Sequence, residues 1–422
     1  MGCDAAVALG RASIDGQTLF GQNRSRPSQN APHLCRTRGR AHAIGESVLL
    51  QHLELPQARN TYTVLASHPD GHWGYDHGLN EHQLAIGSLP LRSVLRGERP
   101  GLIGTDLVRL GLEQCQTARQ AVTLLTHLIE SCGQGSFPGC NPDRDYDSAF
   151  VIADPSEAYV IETAGGHWVY QETQEVRASG GVRVIRQDWD RISRGLADLA
   201  IKRGWWPQDG SKIDFAGVVG EMTQEEKAAL KRWTGASFRL QEQNGHIDLA
   251  FIRRLLTEQD ESEIEHQDSD FSDWNSSTDD TTTASMVAGL SSKPGHAPMA
   301  WCALGSPCPG LFFPVFLDGE LPELLSRSET LCAQTCASRT VSAAAGSQRG
   351  LWASARDSLL RLQARIDLET EEFLLEYAVI KEKGYAADLE RQTSLFMEHN
   401  VEQVEEVLGE SIRSPSGMSS VP

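Results

Sequence analysis

The chain has 422 residues, 40% of them hydrophobic and 23% charged, with a formal net charge of -19 and nine cysteines. A chain of this length can bury a large core without disulfides, and its acidity disfavours nucleic acid or an anionic membrane surface as the main partner. An odd number of dispersed cysteines favours reduced thiols and a cytoplasmic location. We expect no membrane-spanning segment, because no apolar run approaches the ~20 residues that one requires, and no secretory leader.

A cysteine lies near the start of the chain, at the head of an apolar run. Asp15 and Gly16 can supply the two positive-φ positions of a tight turn, so the sequence predicts a hairpin with a two-residue loop. That register places Ala5 opposite Arg26, and it brings the polar stretch before Arg26 beside Cys3. A small buried strand cysteine fits the hairpin alone better than a nucleophile does.

An amino-terminal cysteine would carry its own general base. The unperturbed pKa is about 8 for an α-amino group and about 8.5 for a thiol, so proton transfer between them costs little. Cys3 gains that amine only if the chain is cleaved after Gly2, because loss of Met1 alone leaves Gly2 in front of it. The start of the chain also resembles an acylation signal, although Ala6 stands where Ser or Thr is expected.

Helical and strand patterns follow along the chain. Residues 105–132 predict helices, the second of which starts with the capping box Thr117 to Gln120 and stops at Gly133. Antiparallel strands are predicted within residues 61–66, 78–87, 150–153, 159–162, 167–170, 284–288, 299–304 and 310–317.

The last third divides into an insertion, a linker and a helical pair. Ten carboxylates and no Lys or Arg lie in residues 258–280, which predicts a solvated insertion over about 258–281. A calcium site there lacks the ordered loop spacing. Residues 325–349 have a linker composition. Residues 350–410 predict two antiparallel helices that pack on the core or form an oligomer contact, and residues 411–422 predict a flexible tail.

Two cysteine pairs have spacings that a zinc site tolerates, Cys302 with Cys308 and Cys332 with Cys336. No histidine lies within either pair, so the sequence favours no metal and no cofactor.

Several stretches in a fixed order resemble one known family. They are Leu19 to Pro27, Trp73 to His82, Gly104 to Glu113, Ala158 to Gly165, Gly204 to Trp206 and Thr282 to Val287. With Cys3, they make residues 3 to about 320 similar to the secernins and the related cysteine-type dipeptidases. The resemblance implies an N-terminal-nucleophile (Ntn) hydrolase fold over residues 1–324, which is an α+β sandwich of four αββα layers, followed by the carboxyl-terminal helical segment.

The resemblance also implies a site around Cys3. Asn80 matches the turn asparagine that supplies an oxyanion-hole amide in the related hydrolases, and an ordinary turn asparagine is the alternative. We expect Asn23 and Arg26 to bind substrate, with Arg26 as an anchor for a substrate carboxylate. The expected function is a cysteine dipeptidase or amidohydrolase that cleaves a dipeptide or small amide after removal of Met1 and Gly2.

Three positions depart from the family pattern. Gln22 and Ser25 stand where related hydrolases often place an arginine and an aspartate, and Gly181 stands where a second asparagine is common. Arg24, Arg26 and Arg191 are candidates to compensate. The alternative function is therefore a catalytically weak or inactive secernin-like protein that acts through protein partners, in the exocytosis-type role associated with secernins. A homo-oligomer is a further alternative.

Overall fold

The structure is a computed structural model that describes residues 3–27, 32–95, 101–135, 147–257, 280–304, 311–326 and 349–413. Its strands are β1 (Ala5–Ala8), β2 (Thr18–Pro27), β3 (His33–Thr37), β4 (Ser47–Leu49), β5 (Glu54–Pro56), β6 (Val64–His68), β7 (His77–Asn80), β8 (Ala85–Leu91), β9 (Asp147–Ala153), β10 (Ala158–Ala164), β11 (His167–Glu172), β12 (Val176–Ser179), β13 (Arg191–Ile192), β14 (Asp280–Leu290), β15 (Met299–Leu304) and β16 (Phe313–Phe316). Its helices are α1 (Gly104–Gln114), α2 (Ala118–Cys132), α3 (Leu196–Lys202), α4 (Phe215–Val219), α5 (Gln224–Glu242), α6 (249–257), α7 (Glu323–Ser326), α8 (Arg349–Glu382) and α9 (Ala386–Arg413).

Two antiparallel sheets face each other in the core. One has six strands in the order β12-β1-β2-β14-β15-β16, and the other has eight in the order β13-β11-β10-β9-β8-β7-β6-β3. Helices α1 and α2 cover the outer face of the eight-stranded sheet, while α5, α8 and α9 pack against the six-stranded sheet. The described residues thus stack as helix, sheet, sheet and helix, which confirms the predicted αββα architecture.

Strand alternation builds two layers of core. In β9, Ala149, Val151 and Ala153 join the cluster between the two sheets, whereas Phe150 and Ile152 join the cluster beneath α1 and α2. Successive side chains of a strand point to opposite faces, so a sheet that is covered on both faces has strands that are apolar throughout.

The first hairpin is present, but its predicted register is wrong. Ala5 lies opposite Gln22 and not opposite Arg26, so the connection is longer than two residues. Within that connection Ser13 bridges to Ile247, and its hydroxyl group donates to a carbonyl of the same connection. A contact to a distant part of the chain therefore holds a loop that the local turn signal suggested would be short.

Helix α2 begins and ends where the sequence predicts. Thr117 accepts a hydrogen bond from the backbone N–H of Gln120, and Gly133 follows the last turn with a φ of 71°. The N-cap and the glycine stop are confirmed, because a side-chain acceptor satisfies a free amide of the first turn and glycine tolerates the positive φ. The return bond of a capping box differs, since the side chain of Gln120 accepts the N–H of Gln116.

The carboxyl-terminal helices pack on the core. Leu362, Ile366 and Tyr377 of α8 and Met397 of α9 belong to the same buried cluster as the strands of both sheets. The predicted insertion, linker and tail lie largely outside the described residues. Among the described helices, none combines the length and the apolar character that crossing a bilayer requires.

Candidate active site

Cys3 lies just before β1, in the cluster between the two sheets, and its side chain is buried. The β1–β2 register, extended by two residues from Ala5 and Gln22, places Cys3 beside Arg24. The backbone N–H of Ser25 donates to Cys3 Sγ over 3.3 Å, and the thiol lies 3.8 Å from the Ser25 carbonyl oxygen. The six-stranded sheet thus holds the thiol at its inner face.

A buried ion pair joins the two sheets beside Cys3. Arg24 Nε lies 3.1 Å from Asp76 Oδ1, and the two side chains are 5% and 0% exposed. Arg24 also donates to the carbonyl oxygen of Ser88 in β8, over 3.3 Å. Asp76 immediately precedes β7 in the eight-stranded sheet, so Arg24 of β2 bridges the gap in which the thiol lies.

The surroundings of Cys3 act on its pKa in both directions. Burial raises the pKa of the thiol above its ordinary value, and this is the largest effect. The positive charge of Arg24 and the amide of Ser25 lower it, while the negative charges of Asp4 and Asp76 raise it. The thiol is therefore neutral in the resting site, and a base must remove its proton before it can attack a carbonyl.

Asp4 fixes the strand end from the other face of the sheet. Asp4 Oδ2 pairs with Arg232 Nε of α5 at 3.2 Å, and the backbone carbonyl of Asp4 accepts the N–H of Asn23. These contacts hold the backbone of Asp4, next to Cys3.

Gly181 follows the strand that pairs with β1. Strand β12 ends at Ser179, which lies opposite Ala5, and Gly181 lies two residues later, in the bend between the bridged residues Gly180 and Val182. A Cβ atom built on Gly181 would have as its nearest neighbour the Pro90 carbonyl oxygen at 3.8 Å. The position at which related hydrolases commonly carry an asparagine therefore presents no side chain here, although space for one exists.

Asn80 lies away from the thiol. It ends β7, four residues after Asp76, which is about 13 Å along a strand. Its amide nitrogen donates to the carbonyl oxygens of Leu112 and Cys115 at the end of α1, over 2.9 and 2.7 Å. Its amide oxygen accepts two backbone N–H groups of the following turn, those of residues 82 and 84. The oxyanion role of Asn80 stays a prediction, and these contacts support a structural role.

The two predicted substrate-binding residues, Asn23 and Arg26, have different contacts in the structure. Asn23 is buried, donates to the Leu256 carbonyl oxygen over 3.1 Å and accepts the hydroxyl of Ser285 over 2.6 Å. These contacts lie on the face of β2 that looks toward α6, opposite to Arg24. Arg26 pairs through its backbone with Thr281, and its side chain lies outside the described part. Binding of substrate by either residue remains a prediction.

Gln22 and Ser25, the two residues of the hairpin that depart from the family pattern, both lie near Cys3 or Arg24. Gln22 Nε2 donates to the Ser88 carbonyl oxygen over 2.9 Å, the same carbonyl that Arg24 reaches, and Ser25 contacts the thiol through its backbone. Arg24 was a candidate to compensate for them, and it is the arginine that the fold brings to Cys3. Asp76 was missed, because 52 residues separate the two members of the pair and no local motif marks it.

Metal ligands do not gather in the described part of the chain, where no three His, Cys, Asp or Glu side chains could hold an ion together. Cys302 is a buried free thiol. Cys308, Cys332 and Cys336 lie outside the described residues, so the zinc spacings stay untested.

A family model matches the chain from the candidate nucleophile onward, over residues 3–173. The matching model is that of peptidase family C69. This confirms the resemblance that the ordered motifs predicted. The peptidase-family region supplies β1 to β11, and the strands β12 and β14 to β16 that complete the six-stranded sheet follow it.

Several solved structures match most of the chain at low sequence identity. A variant of conjugated bile acid hydrolase from Clostridium perfringens is 13% identical with a TM-score of 0.42, and the match covers 76% of this chain and 95% of that one. Penicillin V acylase from Agrobacterium tumefaciens is 13% identical with a TM-score of 0.39, covering 77% and 88%. A Caenorhabditis elegans orthologue of N-acylethanolamine-hydrolyzing acid amidase is 12% identical with a TM-score of 0.30, covering 68% and 92%.

Proposed function

We propose that this protein is a cysteine-type amidohydrolase that cleaves a small amide such as a dipeptide, with Cys3 as an amino-terminal nucleophile after removal of Met1 and Gly2. The observation that supports this most is the place of Cys3: it heads an inner strand, and its thiol faces the inter-sheet space beside the Arg24–Asp76 pair. The match to the peptidase family begins at this same residue.

The freed amine of Cys3 would do the proton work. It accepts the thiol proton as the sulfur attacks the substrate carbonyl, and it then delivers that proton to the leaving amine as the C–N bond breaks. A thioester remains, and water hydrolyses it with the same amine as base, which restores the thiol. The amine is needed because burial raises the pKa of the thiol.

Arg24 would assist the attack by its charge. Its guanidinium lowers the pKa of the Cys3 thiol and so favours the thiolate. Asp76 forms an ion pair with Arg24 and holds the guanidinium between the sheets. In this proposal Arg24 stabilises the thiolate, while Asp76 positions Arg24.

A dipeptide substrate has a carboxylate, which a cation near Cys3 would bind. Arg26 lies two residues beyond Arg24 on β2, which is about 7 Å along a strand. We therefore propose Arg26 as the carboxylate anchor, through a charge-assisted pair.

A second candidate function is a secernin-like protein that keeps the fold, turns over little and acts through protein partners. Gly181 favours it, because related hydrolases commonly carry an asparagine at this position, and this chain has space there but no side-chain amide. One oxyanion-hole donor is worth about a hundredfold to a thousandfold in kcat, so its loss would leave a slow enzyme.

Amine release from a panel of dipeptides and small N-acyl amides tests the proposal. We expect the chain that starts at Cys3 to hydrolyse members of the panel, Cys3→Ala to lose that activity, and Cys115→Ala to keep it. Cys115 is a matched control because it is also a buried free thiol. Equal turnover by Cys3→Ala would overturn the nucleophile assignment, and no turnover on any substrate would favour the second candidate.

A further inference from the structure

Helix α8 has an apolar face that the other described residues leave exposed. Leu360, Leu368, Leu375 and Val379 are 47%, 58%, 73% and 49% exposed. Their spacings of eight, seven and four residues place them on one side of a helix with 3.6 residues per turn. We call these four residues the leucine stripe. The opposite side of α8 packs on the core, so the stripe faces away from the sheets.

The charges that flank the leucine stripe are separated along the helix. Arg361 and Arg365 lie on the exposed face in its amino-terminal half, and Glu371, Glu372 and Glu376 lie there in its carboxyl-terminal half. Like charges four residues apart repel each other on a helix surface, and this applies within the arginine pair and between the second and third glutamates.

The described contacts give these charges no counterions. Arg361 donates to the hydroxyl of Ser358 over 3.4 Å. Among the described residues, neither arginine has a carboxylate within 4 Å, and none of the three glutamates has a cation within that distance. The repulsion within each group is therefore not offset inside this part of the chain.

We propose that a second copy of this chain docks on the leucine stripe, with the two α8 helices antiparallel about a two-fold axis close to Leu368. An axis between residues 368 and 369 places Arg361 opposite Glu376 of the second copy, and Arg365 opposite Glu372. Because of the two-fold axis, each of these Arg–Glu pairs forms twice in the dimer. A parallel arrangement would set arginine against arginine and glutamate against glutamate, so the charge pattern selects the antiparallel one.

The length of the leucine stripe limits the affinity that we expect for the dimer. From residue 360 to residue 379 the helix is about 30 Å long, and one helix pair buries less than the roughly 800 Å² per partner of a standard interface. The dimer should therefore form in the micromolar range. Self-complementarity favours a second copy over a different protein, because the stripe and both charge groups are satisfied at once.

Sedimentation velocity on the full chain, from about 1 to about 100 µM, tests the dimer. We expect a monomer–dimer equilibrium that Leu375→Glu weakens at least about tenfold. Leu49→Glu is the matched control, because Leu49 is also 73% exposed but lies on β4, away from α8. A monomer at every concentration, or equal weakening by both variants, would overturn the proposal.

A charge exchange tests the antiparallel register. The double variant Arg361→Glu with Arg365→Glu should weaken the dimer, as should the double variant Glu372→Arg with Glu376→Arg. Mixing the two should restore association, because each chain then faces opposite charges. Combining all four changes in one chain should also restore it. Dimers that persist in both double variants, or a mixture that stays monomeric, would overturn the proposed register.

Discussion

Arg24→Gln and Asp76→Asn break the same buried ion pair, yet they should change the reactivity of Cys3 in opposite directions. Arg24 lowers the pKa of the thiol and Asp76 raises it. Loss of the arginine charge should therefore raise that pKa and reduce the thiolate fraction at a given pH. Loss of the aspartate charge should lower the pKa, because it removes a negative charge near the sulfur.

The two variants should nevertheless lose similar amounts of stability. The pair is 3.1 Å apart with both side chains almost fully buried, and breaking a buried pair by removing one partner costs about 3–5 kcal/mol. Both free energies of unfolding, measured by urea titration, should fall by that amount. Equal losses of stability with opposite changes in reactivity separate an electrostatic effect on Cys3 from general loosening of the fold.

The assay is the rate at which iodoacetamide alkylates Cys3, followed by mass spectrometry of its peptide as a function of pH. Asp147→Asn is the control, because the Arg183–Asp147 pair is 3.0 Å apart with side chains 1% and 0% exposed. It should destabilise the fold by a similar amount and leave the pH profile of Cys3 unchanged. If Arg24→Gln and Asp76→Asn shift the alkylation profile in the same direction, the electrostatic reasoning is refuted.

Three further outcomes are expected. Burial raises the pKa of Asp106 from 3.8 to about 6, so the folded state keeps a proton that the unfolded chain releases between those values. Stability should then fall by about 3 kcal/mol as the pH rises from about 3 to about 7, with about 2 kcal/mol of that between about pH 4 and 6. Asp106→Asn should remove this fall in urea unfolding; an unaltered pH dependence would count against it. Asn80→Ala should cost about 1–3 kcal/mol of stability and keep kcat within about tenfold of the parent value, whereas a loss of a hundredfold or more would support the oxyanion role. Gly181→Asn should fold, because the nearest atom to its Cβ lies at 3.8 Å, and it should raise turnover if a missing amide limits it; unchanged turnover would exclude that cause.

The layer order is predicted by the family resemblance, whereas the cap and the stop of α2 follow from local patterns. Thr117 and Gly133 satisfy the ends of α2 by themselves. The register of the first hairpin depends on the bridge between Ser13 and Ile247. The local turn signal carries no information about a contact between residues so far apart in the chain. The sequence therefore suggests a shorter loop.

The candidate site shows the same division. Cys3 is predicted from its place at the chain start, and the predicted hairpin brings the polar stretch Asn23 to Pro27 near it. Only the observed register sets Arg24 beside Cys3. Asp76 lies on the other sheet, so only the packing of the two sheets identifies it. Asn80 is a turn residue by its local contacts, and an identical local sequence would be expected for either role.

Intact mass and amino-terminal sequencing of the purified native protein test the central claim most directly. The claim is that the α-amino group of Cys3 serves as the base for its thiol, and this requires a chain that starts at Cys3. We predict a mature protein that lacks Met1 and Gly2. A native chain that retains Gly2 would leave the thiol with its raised pKa and without that amine, and it would contradict the proposed mechanism.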